Sequence, residues 1–225
     1  MATDGQNENQ HPIILLGGGD HAKVLIHMLL GARRQILGYT DPDESRLPIL
    51  DVKRLGDDEV IFKYRPEEVR LVNGIGSVSS TALREQTYDR FKAKGYFFAS
   101  VMHPYATIAS DVRLSDGVQI MAGAILQPGS SVGANAIVNT GAIIDHDCVV
   151  GTHAHIAPGV VLSGSVRVSS GAHIGTGACV IQKVSIGARS VVGAGAVVID
   201  DVPSSVTVVG VPAKMLTRHL QRDAG

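Results

Sequence analysis

The chain has no tryptophan, only two cysteines, few aromatic residues and no excess of charge of either sign. Aromatic residues make up 4% of its 225 residues, and its formal net charge is −1 at pH 7. A nearly neutral chain lacks the basic surface that nucleic acid or an anionic membrane requires, so a small molecule is the expected partner. The scarcity of rings fits a narrow core that short aliphatic side chains fill.

Long hydrophobic runs and cysteine motifs are also missing. Cys148 and Cys179 have neither metal-site nor redox spacing, and we expect Cys148 to be a core residue. The first apolar run, Ile13 to Leu16, is far too short for a signal or membrane segment and follows a polar tail of residues 1–12. These features favour a cytoplasmic protein with a disordered tail.

A strict period of six occupies the second half of the sequence. Every sixth residue from Ile108 to Val198 is aliphatic, and the residue two positions before each is Ala, Val, Ser or Cys. Three positions after each, most residues are Gly, Asn or Asp, which tolerate a left-handed backbone. An α-helix cannot keep a period of six on one face. The pattern predicts a parallel β-helix of about five coils, with its chemistry on the outside.

Residues 13–100 have a different pattern, with short apolar runs separated by glycine-rich and charged turns. This pattern predicts a small Rossmann-like βαβ unit with a parallel sheet. Its predicted strands are 13–16, 36–39, 69–72 and 96–99, and its predicted helices are 22–30 and 81–94. We therefore expect an α/β nucleotide-binding domain over 13–100, a β-helix over 101–200 and a C-terminal segment over 201–225.

A glycine-rich loop follows the first predicted strand. The segment Gly17 to Ala22 fits G-x-G-x-x-A, and an acidic residue ends the next strand. Such a loop lets the backbone approach a phosphate that the helix N-terminus attracts. NAD or FAD, a nucleotide diphosphate and a purely structural turn all remain open, and the short domain favours the nucleotide diphosphate. The candidate ligand-binding residues are Gly17, Gly18, Gly19, Asp20, His21 and Asp41.

Four of the nine histidines cluster at His146, His153, His155 and His173. A single exposed histidine on a solenoid is usually only a solvated residue, but carboxylates flank His146 on both sides and are able to orient its imidazole. His155 follows half a coil later and should project from the opposite side, where it meets His146 only across a subunit boundary. His155 and His173 are 18 residues apart and should stack.

A metal site is the obvious alternative, because γ-class carbonic anhydrases hold a metal with three histidines on this scaffold. Their ligand spacing has no counterpart among the nine histidines of this chain. We therefore expect no catalytic metal.

Together these features resemble the hexapeptide acyltransferases that N-acetylate nucleotide-linked 4-amino-4,6-dideoxy sugars. The resemblance covers nearly the whole chain and includes the stretch from Asn139 to Gly164 and the terminal VGVPAK, Val209 to Lys214. It implies a left-handed β-helix, acetyl-CoA as co-substrate and a homotrimer with active sites between subunits. GDP-perosamine is the best-fitting substrate, with UDP- or dTDP-amino sugars as alternatives, in the synthesis of O-antigen polysaccharide.

The resemblance also implies roles for individual residues. His146 would be the general base, Asp147 its acidic partner and Asn139 the asparagine that precedes the base in this family. Asp147 is one methylene shorter than the glutamate of some relatives, which puts the reach of its carboxylate in question. The Gly164 N–H would hold the acetyl carbonyl. The residues implied in acetyl-CoA binding are His155, Gly164, Gly210, Pro212 and Lys214.

Two other functions remain open from the sequence. A sugar O-acetyltransferase of the sialic acid type uses a similar base, but a hydroxyl is a weaker nucleophile than an amine, so loss of His146 would be nearly fatal there. A nucleotide-sensing or scaffolding trimer would release no thiol from acetyl-CoA and would not depend on His146.

Overall fold

The structure is a computed structural model that describes residues 11–77 and 80–216. Of the predicted N-terminal tail, only His11 and Pro12 fall within this range. Among the described residues, no helix is both long enough and apolar enough to span a bilayer.

The N-terminal unit is a parallel four-stranded sheet with flanking helices. Its strands are β1 (Ile13–Leu16), β2 (Ile36–Thr40), β3 (Arg54–Gly56) and β4 (Arg70–Asn73), in the order β3-β2-β1-β4. Its helices are α1 (Asp20–Gly31), α2 (Ala82–Lys92) and a short 3₁₀ helix (Asp58–Lys63). Every residue of the central strand β1 is buried, which explains its uninterrupted apolar run.

The predicted α/β unit is confirmed, with local differences. β3 and the 3₁₀ helix are not predicted by the sequence, because β3 has only three residues and the apolar run of the 3₁₀ helix, Val60 to Phe62, is too short to stand out. The strand predicted over 96–99 is reduced to a single parallel bridge between Leu71 and Phe98. After this bridge the chain passes directly into the solenoid.

The rest of the described chain is a left-handed parallel β-helix with three faces. Its strands are β5 (Val101–Met102), β6 (Thr107–Ile108), β7 (Arg113–Leu114), β8 (Gln119–Ile120), β9 (Ile125–Leu126), β10 (Ser131–Val132), β11 (Ile137–Val138), β12 (Ile143–Ile144), β13 (Val149–Val150), β14 (His155–Ile156), β15 (Val161–Leu162), β16 (Arg167–Val168), β17 (His173–Ile174), β18 (Cys179–Val180), β19 (Ser185–Ile186), β20 (Val191–Val192), β21 (Val197–Val198), β22 (Thr207–Val209) and β23 (Lys214–Met215). The domain face holds eight of them, β5, β8, β11, β14, β17, β20, β22 and β23. The apolar face holds six, β6, β9, β12, β15, β18 and β21, and the polar face holds five, β7, β10, β13, β16 and β19.

The hexapeptide pattern determines both the core and the corners. From Val118 onward the aliphatic residues and their small partners, Cys148 among them, form one continuous buried core, and the partly buried Ala106, Ile108, Val112 and Leu114 pack against its first coil. Each sixth residue from Gly117 to Gly195 has a positive φ, including the non-glycine residues His153 and Lys183. A left-handed backbone costs such residues about 1–2 kcal/mol. The coil therefore imposes the corner geometry even where the residue type disfavours it.

A buried arginine joins the two units. Arg84 of α2 is 1% exposed; its Nη1 donates to the carbonyl oxygens of Asn73 and Ile75 at 2.8 Å. Its Nε donates to the carbonyl oxygen of Asn135 in the solenoid at 3.1 Å. Burial lowers the pKa of this guanidinium to about 9. Arg84 thus ties α2, the end of β4 and the solenoid together.

We predict that Arg84→Met destabilises the protein, because it leaves the carbonyl oxygens of Ile75 and Asn135 without a donor and removes one of the two donors to that of Asn73. The expected loss in the free energy of unfolding is about 3 kcal/mol, partly offset by removal of the buried charge. Arg90→Met is the matched control, since the Arg90 side chain is 41% exposed in its ion pair, and it should cost less than about 1 kcal/mol. Urea unfolding at fixed protein concentration measures both; equal losses would contradict the prediction.

Candidate active site

A cavity of about 930 Å³ opens between the N-terminal sheet and the domain face of the solenoid. It lies at the carboxyl ends of β1, β2 and β4, where parallel α/β sheets bind their ligands. Its size suits a ligand as large as a nucleotide sugar. The glycine loop, the ends of β2 and β4, α2 and the solenoid all contribute to its lining, through Gly17, Gly18, Gly19, Asp20, His21, Val24, Thr40, Asp41, Pro42, Asp58, Gly74, Ile75, Gly76, Ser77, Ser80, Leu83, Thr87, Asn139, Thr140 and His155.

Glycine occupies the three positions of the loop for different structural reasons. Gly17 has a φ of +93°, which favours glycine. A Cβ on Gly18 would come within 2.5 Å of the Tyr39 ring, so only glycine fits there. A Cβ on Gly19 would meet nothing within 4 Å, and Gly19 lines the cavity. The backbone at Gly18 is thus tightly packed, whereas the backbone at Gly19 is open to the cavity.

Asp41, the expected nucleotide-binding acid, lines the cavity and also holds the glycine loop. Its Oδ2 accepts a hydrogen bond from the Gly18 N–H at 3.1 Å, and its Oδ1 accepts one from the Asp43 N–H at 2.9 Å. The Arg46 guanidinium lies 3.4 Å from Oδ2. Asp41 therefore fixes the position of the glycine loop.

His21, at the start of α1, is a neutral hydrogen-bonding group. Its Nε2 lies 2.7 Å from Oε1 of Gln119. Because Nε2 of Gln119 donates to the Asn73 carbonyl oxygen, Oε1 must accept, and the His21 proton lies on Nε2. Burial and the charge of Arg84 lower the pKa of His21 to about 4.

The solenoid end of the cavity contains a chain of polar side chains. Ser77 Oγ lies 2.6 Å from Nδ1 of His155, and Nε2 of His155 lies 3.1 Å from Nδ2 of Asn139. His155 stacks edge-on against His173 at 5.0 Å, as the 18-residue spacing predicts. Burial and the neighbouring histidines lower the pKa of His155 to about 3, so this ring is uncharged. Asn139 contacts His155 and has no hydrogen bond to His146 among the described residues.

The second cluster lies at another corner of the solenoid. His146 and Asp147 form the corner between β12 and β13 and are 60% and 66% exposed, with His146 Nδ1 2.9 Å from Asp147 Oδ2. This bond, and the charge of Asp145, raise the pKa of His146. Asp147 thus reaches the imidazole despite its short side chain. Neither residue lines the cavity.

Gly164 lies one coil above His146, as predicted. A Cβ on Gly164 would be 2.5 Å from Nε2 of His146, so the imidazole packs directly on this glycine. Among the described residues, no acceptor takes a hydrogen bond from the Gly164 N–H. The ring nitrogen left free by Asp147 and an unpaired backbone donor are therefore neighbours.

The C-terminal segment closes the end of the solenoid. The Val197 N–H donates to the Gly210 carbonyl oxygen at 3.1 Å, and the Ala213 N–H donates to the Val197 carbonyl oxygen at 2.8 Å. Pro212 and Lys214 are exposed there. Gly210 and Ala213 thus bond to β21 of the apolar face, whereas Lys214 belongs to β23 at the end of the domain face. None of these residues lines the cavity.

His153 has a role within the protein. Its Nδ1 accepts from the Asn135 amide at 2.9 Å, which leaves the proton of the neutral ring on Nε2, 3.7 Å from Asp89. Glu85, Asp89 and His153 offer donor atoms within 4.8 Å of one another, the only such group among the described residues. The His153 nitrogen that faces the carboxylates carries a proton and so has no lone pair for a metal, and Glu85 pairs with Arg189 of the solenoid. This group therefore connects α2 to the solenoid.

Sequence reasoning missed Ser77, which lines the cavity, and Gln119, which bonds to His21 but does not line the cavity. Ser77 and Gln119 lie on different units and meet the predicted histidines only after the two units pack. Gln119 was detectable as a polar residue at an outward solenoid position. Ser77 had no signal beyond its place after the glycines that follow β4.

No family model matches the sequence, and no curated protein matches it significantly. A solved structure of perosamine N-acetyltransferase from Caulobacter crescentus, a histidine-to-asparagine variant in complex with CoA and GDP-perosamine, is 37% identical with a TM-score of 0.87 and covers 92% of this chain and 98% of that chain. The acetyltransferase domain of PglB from Neisseria gonorrhoeae, in complex with acetyl coenzyme A, is 30% identical with a TM-score of 0.84 and covers 92% and 99%. WeeI from Acinetobacter baumannii, at 24% identity and a TM-score of 0.83, shares the fold.

The β-helix, the packed α/β unit and these similarities define an acyltransferase of the hexapeptide-repeat class. Within that class, the identity of 37% over 92% of the chain determines the family. The chain belongs to the nucleotide-sugar N-acetyltransferase family, which confirms the resemblance inferred from the sequence.

The His146–Asp147 contact is testable without any substrate. We predict that the pKa of His146 lies above 6.5 and that Asp147→Asn lowers it, because the mutation removes the carboxylate that stabilises the cation. Asp111→Asn, on a corner of another coil, is the control and should leave it unchanged. NMR titration of the histidine ring protons measures the three values; a wild-type pKa of 6.5 or lower would contradict the prediction.

Proposed function

We propose that this protein transfers an acetyl group from acetyl-CoA to the C4 amino group of a nucleotide-linked 4-amino-4,6-dideoxy sugar, with GDP-perosamine as the preferred substrate. The product would serve O-antigen synthesis. The observation that carries this proposal is the exposed His146–Asp147 pair packed against Gly164. The Caulobacter perosamine N-acetyltransferase crystallised with CoA and GDP-perosamine supports the choice of substrate.

The chemistry follows from the free Nε2 of His146. The neutral sugar amine attacks the thioester carbonyl, and the new N–C bond makes the nitrogen acidic. His146 removes the proton through Nε2, while Asp147 stabilises the imidazolium. The Gly164 N–H is a preorganised donor for the oxyanion. The C–S bond then breaks, CoA leaves as the thiol after protonation, and no acyl-enzyme forms.

The nucleotide would occupy the cavity, with its phosphates at the glycine loop. Gly19 leaves room for a diphosphate in front of the loop, and the N-terminus of α1 attracts its charge. Asp41 would contact the base or ribose from its fixed position. His155 would contact the sugar or the acetyl-CoA, and Gly210 to Lys214 would cover the CoA bound between adjacent solenoids.

A homotrimer would complete the site. In one chain the apolar face separates the cavity, at the corner beside Asn139, from the corner that carries His146. Four of the six outward strand positions on this face, Ile125, Ile143, Val161 and Val197, are apolar and partly buried, and the other two, Thr107 and Cys179, are exposed but uncharged. The polar face carries Arg113 and Arg167 at the same positions. A ring in which each apolar face packs on the next subunit would bring His146 of one chain toward the cavity of its neighbour.

We predict that His146→Asn lowers kcat/KM for acetyl transfer by at least about 100-fold, the usual effect of losing a general base. His27→Asn, an exposed histidine of α1, is the control and should retain full activity. The measurement is CoA release, followed with a thiol reagent, from acetyl-CoA with GDP-, dTDP- and UDP-linked 4-amino-4,6-dideoxy sugars and their 4-hydroxy counterparts. CoA release with hydroxy sugars alone would indicate O-acetylation, and the absence of CoA release with every acceptor would contradict the enzyme function.

The trimer gives a separate prediction. Val161→Asp places a charge in the middle of the apolar face and should both dissociate the oligomer and abolish acetyl transfer. Val149→Asp makes the same change on the polar face of the same coil and should leave both properties unchanged. Sedimentation and the thiol assay measure the two effects; an active Val161→Asp monomer would contradict a site shared between subunits.

A further inference from the structure

The amide orientation of Asn139 is fixed by its neighbour. Its Oδ1 accepts a hydrogen bond from the Thr140 N–H at 2.8 Å and another from the Thr140 hydroxyl at 3.3 Å. The NH₂ group therefore faces His155 and donates to its Nε2. A ring nitrogen that accepts carries no proton.

It follows that neutral His155 has its proton on Nδ1. This nitrogen faces Ser77 Oγ at 2.6 Å, so His155 donates and Ser77 accepts. The low pKa of the buried ring, about 3, keeps this direction constant at neutral pH. The hydrogen bonds of the Asn139–His155–Ser77 chain thus run in one direction: Asn139 donates to His155, and His155 donates to Ser77.

The Ser77 hydroxyl proton then needs another acceptor. Among the described residues, the other hydrogen-bond contact of Ser77 Oγ is Nδ1 of His173 at 3.4 Å, close to the limit of a hydrogen bond. Ser77 also lines the cavity. An oxygen of a bound ligand is the better acceptor for this proton.

The position of Ser77 identifies the part of the ligand that it meets. The cavity extends from Asp41 and Asp58 beside β2, past the glycine loop, to Ser77 and Asn139 at the solenoid. With the phosphates at the glycine loop and the base toward Asp41, the hexose lies at the solenoid end. We infer that Ser77 donates a hydrogen bond to the hexose of the nucleotide sugar, and that Asn139 and His155 are positioning residues that fix its direction. This inference rests on the proposed function.

The test is direct binding without acetyl-CoA, by calorimetry, with GDP-perosamine and with GDP. Ser77→Ala should weaken binding of GDP-perosamine about threefold to tenfold, the effect of one hydrogen bond, and leave that of GDP unchanged. Ser170→Ala, an exposed serine on the solenoid, is the control and should change neither. Equal weakening of both ligands, or of neither, would overturn the inference, as would a wild-type protein that binds the two ligands equally.

Histidine ¹⁵N chemical shifts report which ring nitrogen carries the proton. The tautomer of His155 would not respond to Asn139→Leu if Asn139 had only a structural role. His155 should be neutral with its proton on Nδ1 in the wild type, and Asn139→Leu should abolish this tautomer preference and weaken GDP-perosamine binding as Ser77→Ala does. A proton on Nε2 in the wild type would overturn the inference. Absence of thiol release would count against the proposed function alone, because neither experiment requires acetyl transfer.

Discussion

Parallel pairing between residues 18 apart is the constraint on which the rest of this structure depends. Each short strand bonds to its counterpart one coil away, as in the pairing of Ile137 with His155, and aliphatic residues fill the inside. Any side chain on the outside therefore lies above the residue 18 positions earlier. Gly164 over His146 and His173 over His155 are consequences of this register and require no further interaction.

The same constraint separates functions by face. A corner residue such as His146 cannot turn toward the domain face, because the coil fixes its direction. The α/β unit covers only the domain face, where Arg84 and Gln119 hold it with buried hydrogen bonds. One chain thus presents a nucleotide-sized cavity and an exposed basic histidine at different corners, with an apolar surface between them. Association through that surface is the simplest way to combine them.

The sequence predicted the parts that depend on local periodicity. The period of six gave the coil, the buried Cys148 and the stacking of histidines, and the glycine loop gave β1 and α1. The cavity network was not predictable, because Ser77, Gln119 and Arg84 meet their partners across the packed units and no spacing along the chain records those contacts. β3 was missed for a similar reason: Arg54 to Gly56 becomes a strand only by pairing with β2.

The central claim is that each active site takes its base from one subunit and its nucleotide pocket from another, and subunit mixing tests it most directly. His146→Asn lacks the base, and Gly19→Glu puts a negative charge into the cavity at a position where an added Cβ meets no atom within 4 Å. Each variant alone should be inactive. Trimers reassembled from a mixture of the two should recover acetyl transfer, because some sites combine an intact His146 with an intact cavity. Mixed trimers that remain as inactive as either parent would contradict the account.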